Sequence, residues 1–195
     1  MRRSNAAVLG LVACLTGCTG AATRFYTLEP AAPGAVQPYA GAPFRIDAVH
    51  VPASLDRPEL VRDTGGGSFT VSDNDHWAAP VGELLRRVLT QDLAARLPTD
   101  KVIYPDAPKP SGASGLVVDV LSISSTADRV SMEASWTLLS VPVTTEHPSA
   151  GGQQHTLRLT TPVTGQGVRG NATELSALTD QMASAIAAEL SRPTH

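Results

Sequence analysis

Apolar residues recur at steps of three and four between Pro80 and Pro98, and this pattern constrains the fold more than any other feature of the chain. The stripe consists of Val81, Leu84, Leu85, Val88, Leu89, Leu93 and Leu97. Charged and amide side chains lie between them, so the spacing predicts an amphipathic helix over 81–97. Because such a helix has one apolar face, it needs a sheet or a second helix to cover that face.

A second amphipathic helix is predicted near the C-terminal end, from Asn171 to Ser191. Its apolar stripe consists of Leu175, Leu178, Met182, Ile186 and Leu190. Asn171 and Glu174 have the spacing of a capping box, which predicts that the helix begins at Asn171.

Short runs with strand composition, bounded by glycine and proline, fill the rest of the chain. The predicted strands are Phe25–Leu28, Phe44–Val51, Leu60–Arg62, Ser68–Val71, Val102–Tyr104, Gly115–Ser125, Val130–Val143 and His155–Val163. The last three are typical of an antiparallel meander. Asp63–Gly67 is predicted to be a hairpin turn, and Asp73–His76 a polar turn before the first helix. We therefore predict an α+β fold, with two main amphipathic helices packed on one face of a mostly antiparallel or mixed sheet.

The N-terminal segment has the pattern of an export signal rather than of a folded element. Arg2 and Arg3 precede an apolar run from Ala6 to Leu15. That run is shorter than the roughly 20 apolar residues that a bilayer-spanning helix needs. We predict a signal peptide over residues 1–17.

The four residues Leu15-Thr16-Gly17-Cys18 resemble the bacterial lipobox, in which the cysteine thiol receives a diacylglycerol. We therefore predict lipidation of Cys18, a lipidated tether over 18–23 and a single domain over 24–195. The alternative is that Cys18 forms a disulfide or is buried in an ordinary exported protein. Cys14, the other cysteine, lies in the segment that would be removed, so the mature chain has no partner for an internal disulfide.

Thr19 follows the predicted lipidation site. By resemblance to proteobacterial lipoproteins, the absence of aspartate at this position indicates the outer membrane, with the domain on the periplasmic face. The domain would be attached to the membrane through its N-terminal lipid anchor.

Composition and charge argue against nucleic-acid binding. Aromatic residues make up 4% of the chain and the net charge is −3, which becomes −5 when Arg2 and Arg3 are removed with the signal peptide. No basic field attracts a polyanion, and few rings are available for base stacking.

No motif of catalysis, metal binding or cofactor binding is found, so no catalytic residue, metal or cofactor is predicted. His76 is the best candidate for a metal ligand or an acid–base group, but no second histidine follows at helical spacing. His147 and His155 flank a glycine–serine turn and are predicted to be solvated. Gly65–Gly67 lacks the lysine of a phosphate-binding loop, and no G-x-S-x-G motif is present.

The most distinctive string is Val51-Pro52-Ala53-Ser54-Leu55-Asp56-Arg57-Pro58-Glu59-Leu60-Val61-Arg62. Its two prolines are expected to hold the segment extended at each end. Asp56 and Arg57 between them are expected to pair locally or with a partner. We select Leu55, Asp56, Arg57 and Trp77 as candidate partner-binding residues.

This string, the Phe25–Leu28 run behind a lipobox, Trp77–Pro80 and Arg86–Leu89 together resemble the ABC-type transport auxiliary lipoprotein family. The resemblance implies a non-catalytic auxiliary subunit of a transport system concerned with lipid traffic between membranes and with envelope integrity. It also implies a partner, a periplasmic transport protein with mammalian-cell-entry domains. Two alternatives remain open, a periplasmic carrier of lipid or another small ligand and a periplasmic enzyme.

Trp77 has two possible roles that the sequence leaves open. The indole could seal the start of the first helix against the sheet, or it could be an exposed anchor for a partner.

Overall fold

The structure is a computed structural model that describes residues 21–65, 67–126, 128–139, 152–164 and 167–192. Its elements, in chain order, are β1 (Arg24–Tyr26), β2 (Phe44–His50), β3 (Glu59–Gly65), β4 (Ser68–Trp77), α1 (Val81–Ala94), β5 (Val102–Ile103), β6 (Ser114–Ser125), β7 (Arg129–Leu139), β8 (Gln154–Pro162) and α2 (Gly167–Leu190). The predicted α+β class is confirmed. Within these ranges, no helix is long and apolar enough to cross a membrane.

The larger sheet has five strands in the order β5-β2-β6-β7-β8. β6, β7 and β8 form the predicted antiparallel meander, whereas β2 pairs in parallel with both β5 and β6. The sheet is therefore mixed. Inward-facing side chains alternate along its strands, as Leu116 and Val118 on β6 show, because successive residues of a strand point to opposite faces.

Both helices pack on this sheet and against each other, with α1 over β2 and β5, and α2 over β7 and β8. The core between them is built from fully buried side chains, among them Phe44, Ile46, Leu85, Leu89, Leu116, Met132, Leu178, Met182 and Ile186. The stripes that predicted the two helices are the surfaces that they bury.

A polar network joins the two helices to the loop that precedes β2. The buried Arg96 guanidinium forms an ion pair with Asp180 of α2 and donates to Ser184 Oγ at 3.1 Å. Asp92 Oδ1 accepts a hydrogen bond from the Ala31 backbone N–H at 2.8 Å. Burial raises the pKa of Asp92, and the hydrogen bond from Ala31 opposes that rise.

The three remaining strands form a second sheet in the order β1-β4-β3. β3 and β4 form a hairpin, and β1 lies parallel to β4, with Tyr26 opposite Trp77. The hairpin prediction is confirmed, but both strands are longer than predicted. Gly67, in the turn, has a φ of 76°, a conformation that glycine adopts without steric cost.

Three predictions about the ends of the helices and the strand before α1 are wrong. Asp73–His76 is not a turn but the last part of β4, where it pairs with β1. Asn171 does not cap α2, because that helix already begins at Gly167, and the buried Glu174 accepts a hydrogen bond from the Thr164 backbone N–H. The first helix ends at Ala94 rather than at Leu97.

Candidate functional site

The segment from Pro52 to Pro58 is a tight turn rather than the extended run that its prolines predict. The backbone N–H groups of Leu55 and Asp56 both donate to the Pro52 carbonyl, at 2.8 and 3.1 Å, and Arg57 N–H donates to the Leu55 carbonyl at 2.9 Å. Proline lacks a backbone donor, yet its carbonyl accepts normally, so Pro52 can close the turn. The turn exposes Asp56 and Arg57 and leaves Leu55 partly buried.

Trp77 lies directly beside this turn. It is the last residue of β4, and its backbone N–H donates to the Pro58 carbonyl at 2.7 Å. The next residue, Ala78, donates its N–H to the Tyr26 carbonyl of β1 at 2.8 Å. Backbone hydrogen bonds therefore hold Trp77 between the turn, the smaller sheet and the start of α1.

The Trp77 side chain is partly buried and borders two recesses. The inner cavity has a volume of about 50 Å³ and is apolar, with Leu55, Val61, Val81, Val130 and Leu175 in its wall. That volume is far below the roughly 300–1,000 Å³ of typical small-molecule sites. The outer groove is open to solvent, has a volume of about 290 Å³ and is lined by Asp56, Arg57, Pro58, Trp77, Ala79 and Pro80.

The four candidate residues chosen from the sequence therefore lie together. Leu55 contributes to the inner cavity, Asp56 and Arg57 to the outer groove, and Trp77 to both. The Trp77 ring packs against the core and also lines a surface groove. Its role as an anchor for a partner stays a prediction.

Glu59 belongs to this site and was not selected from the sequence. Arg57 Nε donates to Glu59 Oε2 at 2.8 Å, and this hydrogen bond holds the pKa of Glu59 below its usual range. The Asp56 carboxylate has no hydrogen bond or ion pair with any other described residue. The local pairing expected of Asp56 and Arg57 thus occurs between Arg57 and Glu59, two positions apart at the start of β3.

An ion pair between β1 and β4, with its carboxylate near Trp77 in the chain, was also not predicted from the sequence. Arg24 Nε donates to Asp75 Oδ1 at 2.6 Å, and Ser72 Oγ donates to Asp75 Oδ2 at 2.6 Å. These two hydrogen bonds, that of Arg24 foremost, lower the pKa of the buried Asp75 carboxyl. No local sequence signal identifies the pair, because Arg24 and Asp75 are 51 residues apart.

The described histidines lie beside aromatic rings or carboxylates, and His50 Nδ1 lies 2.8 Å from Asp119 Oδ1. The His76 ring lies 5.9 Å from that of Phe25, between centroids. Across the part of the chain that the structure describes, no three His, Cys, Asp or Glu side chains are placed to hold a metal ion. His155, predicted to be solvated, is partly buried and stacks on Trp136 at 4.2 Å, so that prediction is wrong.

Cys18, His147 and residues 140–143 of the predicted seventh strand lie outside the described residues. Lipidation of Cys18 and the boundaries 1–17 and 18–23 therefore stay predictions.

The sequence model of one protein family matches residues 26–187, a range that includes the turn, Trp77 and both helices. That family is described as the ABC-type transport auxiliary lipoprotein component. The chain belongs to this family. The match confirms the resemblance drawn from the Val51–Arg62 string, and it makes the protein an auxiliary lipoprotein of an ABC-type transport system.

Solved structures share the fold of this transport auxiliary lipoprotein. A crystal structure of an uncharacterized protein is 19% identical, with a TM-score of 0.69, covering 87% of this chain and 99% of the other. A second, from Xanthomonas campestris, is described as a member of domain-of-unknown-function family 330. It is 14% identical, with a TM-score of 0.67, covering 85% of this chain and 93% of the other. No curated protein matches significantly.

Proposed function

We propose that this transport auxiliary lipoprotein is a non-catalytic docking subunit, anchored by lipid at the periplasmic face of the outer membrane. Its partner is a periplasmic transport protein with mammalian-cell-entry domains, and the complex serves lipid traffic between the two membranes and envelope integrity. The observation that carries the proposal is the family match over residues 26–187.

The anchor is a lipid on Cys18. The lipobox pattern ends at this cysteine, and several acyl chains hold a protein far more firmly than the marginal binding of one chain. The tether of residues 18–23 reaches at most roughly 20 Å when fully extended. Since β1 begins at Arg24, the domain would remain close to the membrane surface.

The docking surface is the exposed turn with Leu55, Asp56 and Arg57, together with Trp77. Partly buried tryptophan is common among residues that dominate binding energy, especially where neighbouring groups exclude water from its edge. Here the turn and Ala79–Pro80 flank the indole. Backbone hydrogen bonds on both sides of Trp77 fix its position, so binding would cost little ordering entropy.

A photo-crosslinking experiment in living cells tests the proposal. A photoreactive amino acid replaces Asp56 in the full chain, and a matched chain carries it at Asp73, an exposed position of β4. We expect a crosslink to a mammalian-cell-entry protein from position 56 and a much weaker one from position 73. Crosslinks only to unrelated envelope proteins, or equal products at both positions, would contradict the proposal.

A further inference from the structure

The outer groove is a surface recess with one aromatic ring, Trp77, in its lining. It is open to solvent, and two prolines, Pro58 and Pro80, stand beside the Trp77 ring. Grooves lined by aromatic side chains bind extended, proline-containing segments, because such segments are already ordered and lose little entropy on binding.

The charged side chains around the groove determine which charge on a ligand is favoured. Arg57 is the cationic side chain in the lining, and it is paired with Glu59 at 2.8 Å. The Asp56 carboxylate is exposed and has no partner among the described residues. The groove thus offers one uncompensated carboxylate, which favours a cation on the bound segment.

The Trp77 side chain adds a hydrogen-bond donor. Its backbone N–H is already bonded to the Pro58 carbonyl. The indole Nε1–H, by contrast, has no acceptor in the part of the chain that the structure describes. An extended segment without internal hydrogen bonds carries free carbonyl groups that can accept from such a donor.

We infer that the outer groove binds an extended, basic, proline-containing segment of the partner. A proline or aliphatic side chain packs on the Trp77 ring, a lysine or arginine pairs with Asp56, and a backbone carbonyl of the segment accepts from the indole Nε1–H. This inference rests on the proposed docking function and specifies the chemistry of the docked segment.

The test uses the processed, lipidated protein in detergent micelles, with both tryptophans replaced biosynthetically by 5-fluorotryptophan. The chain contains two tryptophans, so fluorine NMR gives one signal for Trp77 and one for the buried Trp136, which is the internal control. The probes are a short synthetic peptide of alternating proline and leucine with two arginines, and the same peptide with two glutamates.

We expect the arginine peptide to shift the Trp77 signal saturably, the glutamate peptide to leave it unchanged, and the Trp136 signal to stay in place. Asp56→Lys should weaken arginine-peptide binding at least about fivefold, as reversal of a contacting charge does. Asp73→Lys is the matched control and should change binding little. Equal shifts from both peptides, no shift from either, or a Trp77 response to anionic phospholipid vesicles instead would overturn the inference.

The same variants separate this inference from the proposed function. If a purified mammalian-cell-entry protein binds the wild type and Asp56→Lys equally well, the docking function stands and the basic-segment inference fails. If it does not bind the wild type, the proposed function fails, whatever the peptides show.

Discussion

Arg24 Nε donates to Asp75 Oδ1 at 2.6 Å, and this contact joins the first strand of the domain to the strand that ends at Trp77. Arg24 follows the predicted tether directly, whereas Asp75 is buried two residues before the tryptophan. The contact therefore connects the N-terminal strand of the domain to its candidate docking surface.

Asp75→Asn should make the melting temperature of the domain depend less on pH in the acid range. The pKa of Asp75 is lowered in the folded protein, so ionised Asp75 stabilises the fold above the usual aspartate range. That stabilisation is lost as the pH falls through the lowered pKa. We expect Asp75→Asn to lower the melting temperature at neutral pH, and the difference from wild type to shrink in acid. Asp73→Asn is the control, and an equal, pH-independent effect of both variants would contradict the assignment.

Two substitutions of Asp92 should lower the free energy of unfolding by different amounts. Burial raises the pKa of Asp92, so its ionised form destabilises the fold near neutral pH. This destabilisation decreases as the pH falls below the raised pKa. Asp92→Asn keeps an oxygen acceptor for the Ala31 N–H, and we expect a change under about 1 kcal/mol. Asp92→Ala leaves that N–H without its acceptor and should cost roughly 1–3 kcal/mol. Urea unfolding at neutral pH measures both, and equal losses would argue against the hydrogen bond.

The two tryptophans should respond differently to truncation. Trp136 is fully buried, so Trp136→Ala should destabilise the domain by roughly 3–5 kcal/mol. Trp77 is only partly buried, and Trp77→Ala should cost about 1–2 kcal/mol, since part of its area is already in water. Partner binding should fall by about 2 kcal/mol or more in Trp77→Ala. If Trp77→Ala changed neither melting temperature nor affinity, both of its assigned roles would be wrong.

Cys18→Ser should leave the chain unprocessed or free in the periplasm, because a hydroxyl does not replace the thiol that accepts the diacylglycerol. Membrane fractionation, with and without globomycin, follows the mature and precursor forms. Substitution of the other cysteine, Cys14→Ser, is the matched control and should leave processing intact. Membrane retention of a Cys18→Ser chain that is cut to mature length would refute lipidation.

Elements governed by local patterns could be predicted from the sequence. The 3.6-residue stripe between Pro80 and Pro98 located α1, since its periodicity is a local property, although the helix ends at Ala94 rather than at Leu97. The β6–β7–β8 meander was predictable for the same reason, because its strands follow one another and pair in sequence order.

Elements governed by distant contacts could not be predicted. The acidic Asp73–His76 run has turn composition, yet it is part of β4, which pairs with the distant β1. Arg24 of β1 forms an ion pair with Asp75. Glu174 has the spacing of a capping residue, but it is buried and bonded to Thr164. The candidate site was found because Pro52, Leu55, Asp56 and Arg57 lie close in sequence, and Glu59 was missed because its role depends on the turn geometry.

Direct binding of purified proteins tests the central claim most sharply. The processed lipoprotein is immobilised through its lipid on a supported bilayer, and the periplasmic part of a mammalian-cell-entry protein from the same cell is passed over it. We expect saturable binding at micromolar concentration or below, weakened at least about thirtyfold by Trp77→Ala and little changed by Asp73→Lys. No binding at micromolar concentration by a wild-type protein with an intact melting transition would contradict the account.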